Sequence, residues 1–147
     1  MASSSGQPPI EIKRVGPGDV GLLERVAEDV FDVPIDSRRL AAYLASTDHH
    51  LIVAINAGEV VGQVAAVVHR HPDKATELYV DEVGVAPAYR RRGIAGRMLA
   101  ALFELGRELG CEEAWVGTEP DNQAARRLYE SAGGGNAEPF LMYVYEL

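Results

Sequence analysis

The stretch "TELYVDEVGVAPAYRRRGIAGRMLAAL" constrains this chain more than any other feature. A strand pattern ends at Ala86-Pro87, because proline cannot continue a ladder. Arg90, Arg91 and Arg92 follow at once, and then the small residues Gly93, Ala95 and Gly96. From Gly93 onward, Ile94, Met98, Leu102, Leu105 and Leu109 trace an apolar helical stripe that Gly110 stops. The fold must therefore put a strand end, a tight loop and a helix start within a few residues. In that setting backbone N–H groups point outward unpaired, and the helix dipole favours a bound anion. Small residues let phosphate oxygens approach the backbone, and the arginines add charge and forked donors. The loop lacks the Gly-Lys-Ser/Thr of a Walker loop and is not Gly-x-Gly-x-x-Gly. Arginine runs are often only solvated; here position and small residues agree on a phosphate-bearing ligand.

The remaining elements fill in a mixed α/β domain. "IEIKRV" alternates like a short strand, and "GPGDVGLLERVAEDVF" carries turn residues and then helical spacing. Ser37 can cap a second helix through Leu44. "HLIVAINAGEVVGQVAAVV" reads as two strands joined at Asn-Ala-Gly. After the central helix, "EEAWVGT" is a strand, Pro120 opens a helix bearing Leu128 and Tyr129, and "PFLMYVYEL" closes the chain as a strand. Trp115, in an apolar strand, is expected in the core.

The 147 residues, 47% hydrophobic, suit a single domain over 10–147 behind a disordered leader over 1–9. No apolar run reaches the roughly 18 residues of a membrane span, and a lone Cys111 excludes an internal disulfide framework. A cytoplasmic protein without membrane association is expected. The net charge of −8 argues against nucleic acid as a partner. Between Glu24 and Asp36 the acids Glu24, Glu28, Asp29, Asp32 and Asp36 face one base, Arg25. Such a cluster attracts a cationic small-molecule amine, although a solvated helix face has the same composition.

The pattern Arg90-x-x-Gly93-x-Ala95, followed by "EPDNQAARRLYESAG" with Asn122, Ala125, Leu128 and Tyr129, resembles the GNAT-superfamily N-acetyltransferases. The segments "LYVDEVGVAPAYRRRGIA" and "VFDVPIDSRRLAAYLASTDHHLIVA" are most similar to the aminoglycoside 3-N-acetyltransferases. The chain departs from the superfamily at "YESAGGGN", where Leu-Gly-Phe is usual. The resemblance implies the GNAT fold: a central, mostly antiparallel sheet splayed at two parallel strands and flanked by helices. It also implies acetyl-CoA as co-substrate and suggests a homodimer.

The resemblance places the pyrophosphate on Arg90, Arg91, Arg92, Gly93, Ile94, Ala95 and Gly96, with Asn122 and Ala125 also on the cofactor side. It pairs the pantetheine arm with the backbone of Val83, Gly84 and Val85. An ammonium must lose its proton before it attacks a thioester. Glu82 stands where the family often keeps a carboxylate that can take it, directly or through water. In a regular strand Asp81 points to the opposite face; a bulge would exchange their roles. A pair of acids at a sheet edge is the plain alternative. Tyr129 matches a family tyrosine near the thioester sulfur, where a phenol can protonate the departing thiolate; core packing is its alternative. Glu28, Asp29, Asp32, Asp36, Asp81 and Glu119 are the candidate acceptor-binding acids.

No metal is expected. His49-His50 and His69-x-His71 lack the further ligands and spacing of a zinc site, although His69, His71 and Asp73 could line an acceptor groove. Cys111 follows a helix-ending glycine and has no base beside it in sequence. Three readings remain: acetylation of an aminoglycoside, acetylation of a protein, peptide or small amine, and acyl-CoA binding without catalysis.

Overall fold

The computed structural model describes residues 8–147; most of the expected leader lies outside them. Backbone contacts divide the described chain into two compact units, residues 8–117 and Thr118–Leu147.

The first unit is built on five strands, β1 (Glu11–Val15), β2 (His49–Asn56), β3 (Glu59–His69), β4 (Glu77–Val85) and β5 (Glu113–Val116), lying side by side in chain order. The first three pairs are antiparallel and β4–β5 is parallel. The β2–β3 hairpin turns on Ala57 (φ 49°) and Gly58 (φ 82°), the two positive φ angles that a tight primed turn needs. The helix α1 (Ser37–Ala45) packs with a 3₁₀ segment (Pro17–Glu24) on one face of the sheet, and α2 (Ile94–Glu108) packs against strands β1 to β4.

The strands alternate, so the two faces have separate cores. Leu51, Val53 and Ile55 join Leu23, Val30, Leu40 and Leu44 beneath α1 and the 3₁₀ segment. Met98 lies so close to Gly62 that a Cβ there would come within 2.9 Å of its methyl carbon. Helix α2 ends in a Schellman cap: Gly110 takes a φ of 85°, Cys111 N–H bonds Gly106 O and Gly110 N–H bonds Arg107 O. Its buried residues are Ile94, Met98, Leu99, Leu102 and Gly106, so the stripe leaves the expected Leu109 at the rim.

Four local expectations change. The segment expected to be helical through Val30 stops at Glu24, because Val26 leaves to form a parallel bridge with Val60. Two hydrogen bonds hold that bridge, Val60 N–H to Arg25 O and Ala27 N–H to Val60 O. The cap of α1 is Asp36, whose side chain accepts Arg39 N–H at 2.9 Å, and Ser37 is already helical. Trp115 is 41% exposed and stacks on Tyr79 with 4.2 Å between ring centroids, since β5 contributes little depth to the sheet.

In the second unit, α3 (Gln123–Ser131) is capped by the Asn122 side chain and ends in a Schellman cap at Gly133 (φ 96°) and Gly134. Residues 139–147 form no strand; Leu141 and Val144 are each 81% exposed. Alternation alone does not make a strand, which needs a ladder partner for its backbone groups.

Candidate active site

The ladder between β4 and β5 runs from Glu77↔Glu113 to Val80↔Val116 and goes no further, while β4 continues to Val85. Beyond Val80 the β5-facing edge of β4 therefore carries backbone donors and acceptors without ladder partners. Asp81 to Val85 occupy that edge, and Val83, Gly84 and Val85 are half-buried there.

A bulge falls on the same residues. Ala65 pairs with Glu82 and Ala66 with Val80, so Asp81 is the extra residue. In a regular strand Asp81 and Glu82 would face apart; here the charges of both reach the Tyr43 phenol. The Tyr43 phenol is pushed well above its ordinary range by burial, then by the charges of Asp81 and Glu82. Burial also raises the Asp81 carboxyl, against a lowering pull from His49. Glu82 is raised by burial first, then by Asp81 and Asp32, against the hydrogen bond from Gln63. Both acids are exposed as residues, so their loss of water is partial.

Gln63 and Gly84 fix this arrangement. Gln63 is 1% exposed, and its Nε2 donates both to Val30 O at 3.2 Å and to Glu82 Oε1 at 3.3 Å. Its Oε1 is buried without a partner among the described residues. Gly84 lies so close to Val30 that an added Cβ would stand 2.1 Å from the Val30 carbonyl oxygen. The acidic loop is thus held on β4 by a glycine and one buried amide. Tyr43 O–H donates to His50 O at 2.9 Å, and its ring lies 5.1 Å from that of His49.

Of the expected acceptor acids, Asp32 reaches Glu82 electrostatically and Asp81 lies beside it. Glu28 and Asp29 are exposed on the same loop. Asp36 caps α1, its carboxylate accepting Arg39 N–H. Glu119 is exposed in the second unit. Sequence reasoning missed Tyr43 and Gln63. Gln63 carried a signal, being the one polar side chain in "VVGQVAAVV"; Tyr43 carried none.

The arginine loop takes its form locally. Arg91 (φ 63°) and Gly93 (φ 75°) both adopt left-handed backbone, turning the chain sharply into α2. Among the described residues no side chain caps α2 at Gly93, so the first N–H groups of α2 are open to another acceptor. A Cβ on Gly93 or Gly96 would meet nothing within 4 Å, so the space beside the loop is open. Arg90 Nε donates to Val85 O at 3.0 Å, and the Arg92 guanidinium lies 5.1 Å over the Tyr89 ring. Two of the three cations are thereby tethered next to the open edge of β4. These features fit a ligand with a phosphate group and an amide-bearing arm.

In the second unit Asn122 Oδ1 accepts Ala125 N–H at 3.1 Å, so this amide oxygen caps α3. Burial raises the Tyr129 phenol above its ordinary range, which keeps it protonated at neutral pH. Burial also raises the Cys111 thiol, which keeps it from being a ready thiolate.

The profile of the Acetyltransferase (GNAT) family matches residues 22–134. Aminoglycoside N(6')-acetyltransferase type 1 of Salmonella typhimurium is 27% identical over 71 residues, covering 48% of this chain and 49% of that protein. N-alpha-acetyltransferase RimI of Mycobacterium tuberculosis is 34% identical over 90 residues, covering 61% of this chain and 54% of its own. The chain spans about half the length of the curated relatives it matches. Among solved structures, an aminoglycoside acetyltransferase, meta-AAC0020 from an uncultured soil metagenomic sample, superposes with a TM-score of 0.81 at 23% identity, covering 94% of this chain and 96% of that one. AAC(6')-Iy, solved with a bisubstrate analogue of CoA and acetylneamine, gives a TM-score of 0.78 at 20% identity, covering 95% and 100%. At these identities the likeness establishes the fold.

Proposed function

Because the chain belongs to the acetyltransferase (GNAT) family, we propose that it transfers the acetyl group of acetyl-CoA to a primary amine of a cationic small molecule, an aminoglycoside. The observation that carries this reading is the Asp81–Glu82 pair at the β4 bulge, next to the edge where β4 outruns β5 and beside Asp32.

The co-substrate supplies an activated acyl group; the chain supplies its placement. Val83 to Val85 offer backbone partners to the pantetheine arm, and the free N–H groups at Gly93 to Gly96 take the pyrophosphate. Arg90 and Arg92 offset its charge from tethered positions, so little of their side-chain freedom remains to be lost on binding. On the acceptor side, Asp32 and Asp81 hold an ammonium by charge. Glu82 accepts its proton, and its raised pKa suits that task because a base works best near the operating pH. Gln63 donates to Glu82 and fixes the carboxylate that receives the proton. Tyr129, kept protonated, is assigned the return of a proton to the thiolate.

Two indications part on the ring position. The segments around Val30–Ala54 and Leu78–Ala95 resemble 3-N enzymes, whereas aminoglycoside N(6')-acetyltransferase type 1 and AAC(6')-Iy are N(6') enzymes. We assign the 3-N position. Thiol release from acetyl-CoA with a panel of aminoglycosides, polyamines and peptides tests the acceptor, and mass spectrometry of the product tests the position. Turnover confined to peptides overturns the aminoglycoside reading, and a 6'-acetylated product overturns the ring position alone.

A further inference from the structure

At the far end of β4 from the acid pair, the β3–β4 hairpin gathers a second group of chemistry-bearing side chains. His69 ends β3 and is the register partner of Glu77, the first residue of β4. His71 lies in the connecting loop and folds back so that its Nε2 bonds Glu77 Oε1. The His69 and His71 rings are 4.3 Å apart. One ligand atom from each of the three residues lies within 4.8 Å of the others.

We infer that His69, His71 and Glu77 form a binding site for a divalent transition-metal ion of the zinc class, clamping the base of this hairpin. Two imidazoles and a carboxylate are a donor set that such ions accept, and the positions left over go to water. Ligand atoms about a tetrahedral ion stand roughly 3.4 Å apart, so the His71–Glu77 contact opens to admit the ion while the side chains rotate to bring in His69. The side chains of His71 and Glu77 are only 13% and 18% exposed, so two of the three ligands are already held in place. The parallel register adds Glu113 directly opposite Glu77, a second carboxylate beside the cluster. The spacing His69-x-His71 lacks a further ligand in sequence, which is why no metal is expected there; the hairpin register supplies Glu77.

The site is independent of the acetyl-transfer reading. Glu77 is five residues from Glu82 along β4, about 16 Å of strand. A bound ion there ties two strands together and takes no part at the acid pair.

Isothermal titration of the full-length chain, free of any affinity tag, with zinc ion tests the site, alongside melting curves. One zinc per chain is expected, saturating at micromolar concentration, with a rise in Tm of roughly 5 °C at a hundredfold excess over Kd. His69→Gln and Glu77→Gln should each weaken binding by about tenfold or more, and at the same zinc concentration cut the rise in Tm to about half or less. His69 is exposed, so its replacement leaves folding intact, and Glu77→Gln keeps an acceptor for His71. His49→Gln should bind zinc as the parent does. Absence of saturable binding up to about 0.1 mM zinc would leave the His71–Glu77 contact as a plain hydrogen bond and overturn the site. Undiminished binding by His69→Gln would overturn it as well.

Discussion

The arginine loop and the acid pair sit at opposite ends of one short stretch of β4 and its sequel, yet they are built differently. The loop over Arg90–Gly96 is made by local backbone: two left-handed residues, a helix start without a cap, and arginines bonded to groups three or five positions away. The acid pair is made by distant chain. It rests on a bulge against β3, a loop carbonyl from Val30 and an amide from Gln63, with the Tyr43 phenol of α1 within reach of its charges. A locally built site tolerates changes elsewhere; a site assembled from four segments fails when any of them shifts.

The largest effect should come from the chemistry at the assembled site. Glu82→Gln keeps size and the hydrogen bond from Gln63 but removes basicity, so turnover should fall by about 10²–10⁴-fold with acetyl-CoA affinity unchanged. Gly84→Ala should follow. Its Cβ cannot coexist with the Val30 carbonyl, so the acidic loop must move, at a cost of about 3 kcal/mol in stability measured by urea unfolding. The matched change in the arginine loop, Gly96→Ala, meets open space and should leave stability equal or slightly raised. Equal losses for the two alanines would erase the distinction between the regions.

Smaller effects sharpen the comparison. Replacing Arg90 and Arg92 together should weaken acetyl-CoA by roughly 1–3 kcal/mol and leave pantetheine nearly untouched. Asp32→Asn should raise the KM for a cationic acceptor by a few fold, on the order of 1 kcal/mol, and less at high salt. Asp36→Asn should leave stability nearly unchanged, because asparagine caps α1 equally well.

The regions also differ in how far the sequence disclosed them. The arginine loop was legible because every determinant lies within a dozen residues: proline to end the strand, glycine to turn, an apolar stripe to restart. The hairpin at Ala57-Gly58 was legible for the same reason. The acid pair was legible only as two adjacent carboxylates. Whether they face together depends on one unpaired residue against β3, which no periodicity in β4 reveals. The expected helix through Val30 failed because Val26 found a ladder partner in Val60, a tertiary contact that outweighs local spacing. Asp36 read only as one more acid of a cluster, because composition does not show that its carboxylate also caps α1.

The smallest predicted effect is on stability. The folded-state pKa values of Asp81 and Glu82 are raised, so folding favours their protonated forms. Their contribution is fully present below the unfolded carboxylate pKa and is lost as pH rises through the folded value. At pH 7 Glu82→Gln should therefore melt slightly above the parent, with the gap closing toward pH 4. A variant that is more stable and less active marks a site held against its own stability.

The central claim is that Glu82 takes the proton from the bound ammonium, and the pH profile of kcat/KM for an aminoglycoside tests it most directly. In the parent, kcat/KM should fall at acid pH as the carboxylate is protonated and level off by neutral pH. In Glu82→Gln only free amine from solution can react, so the rate should climb about tenfold per pH unit through neutrality and approach the parent at alkaline pH. Profiles of the same shape in the two proteins would contradict the account and take Glu82 out of the proton transfer.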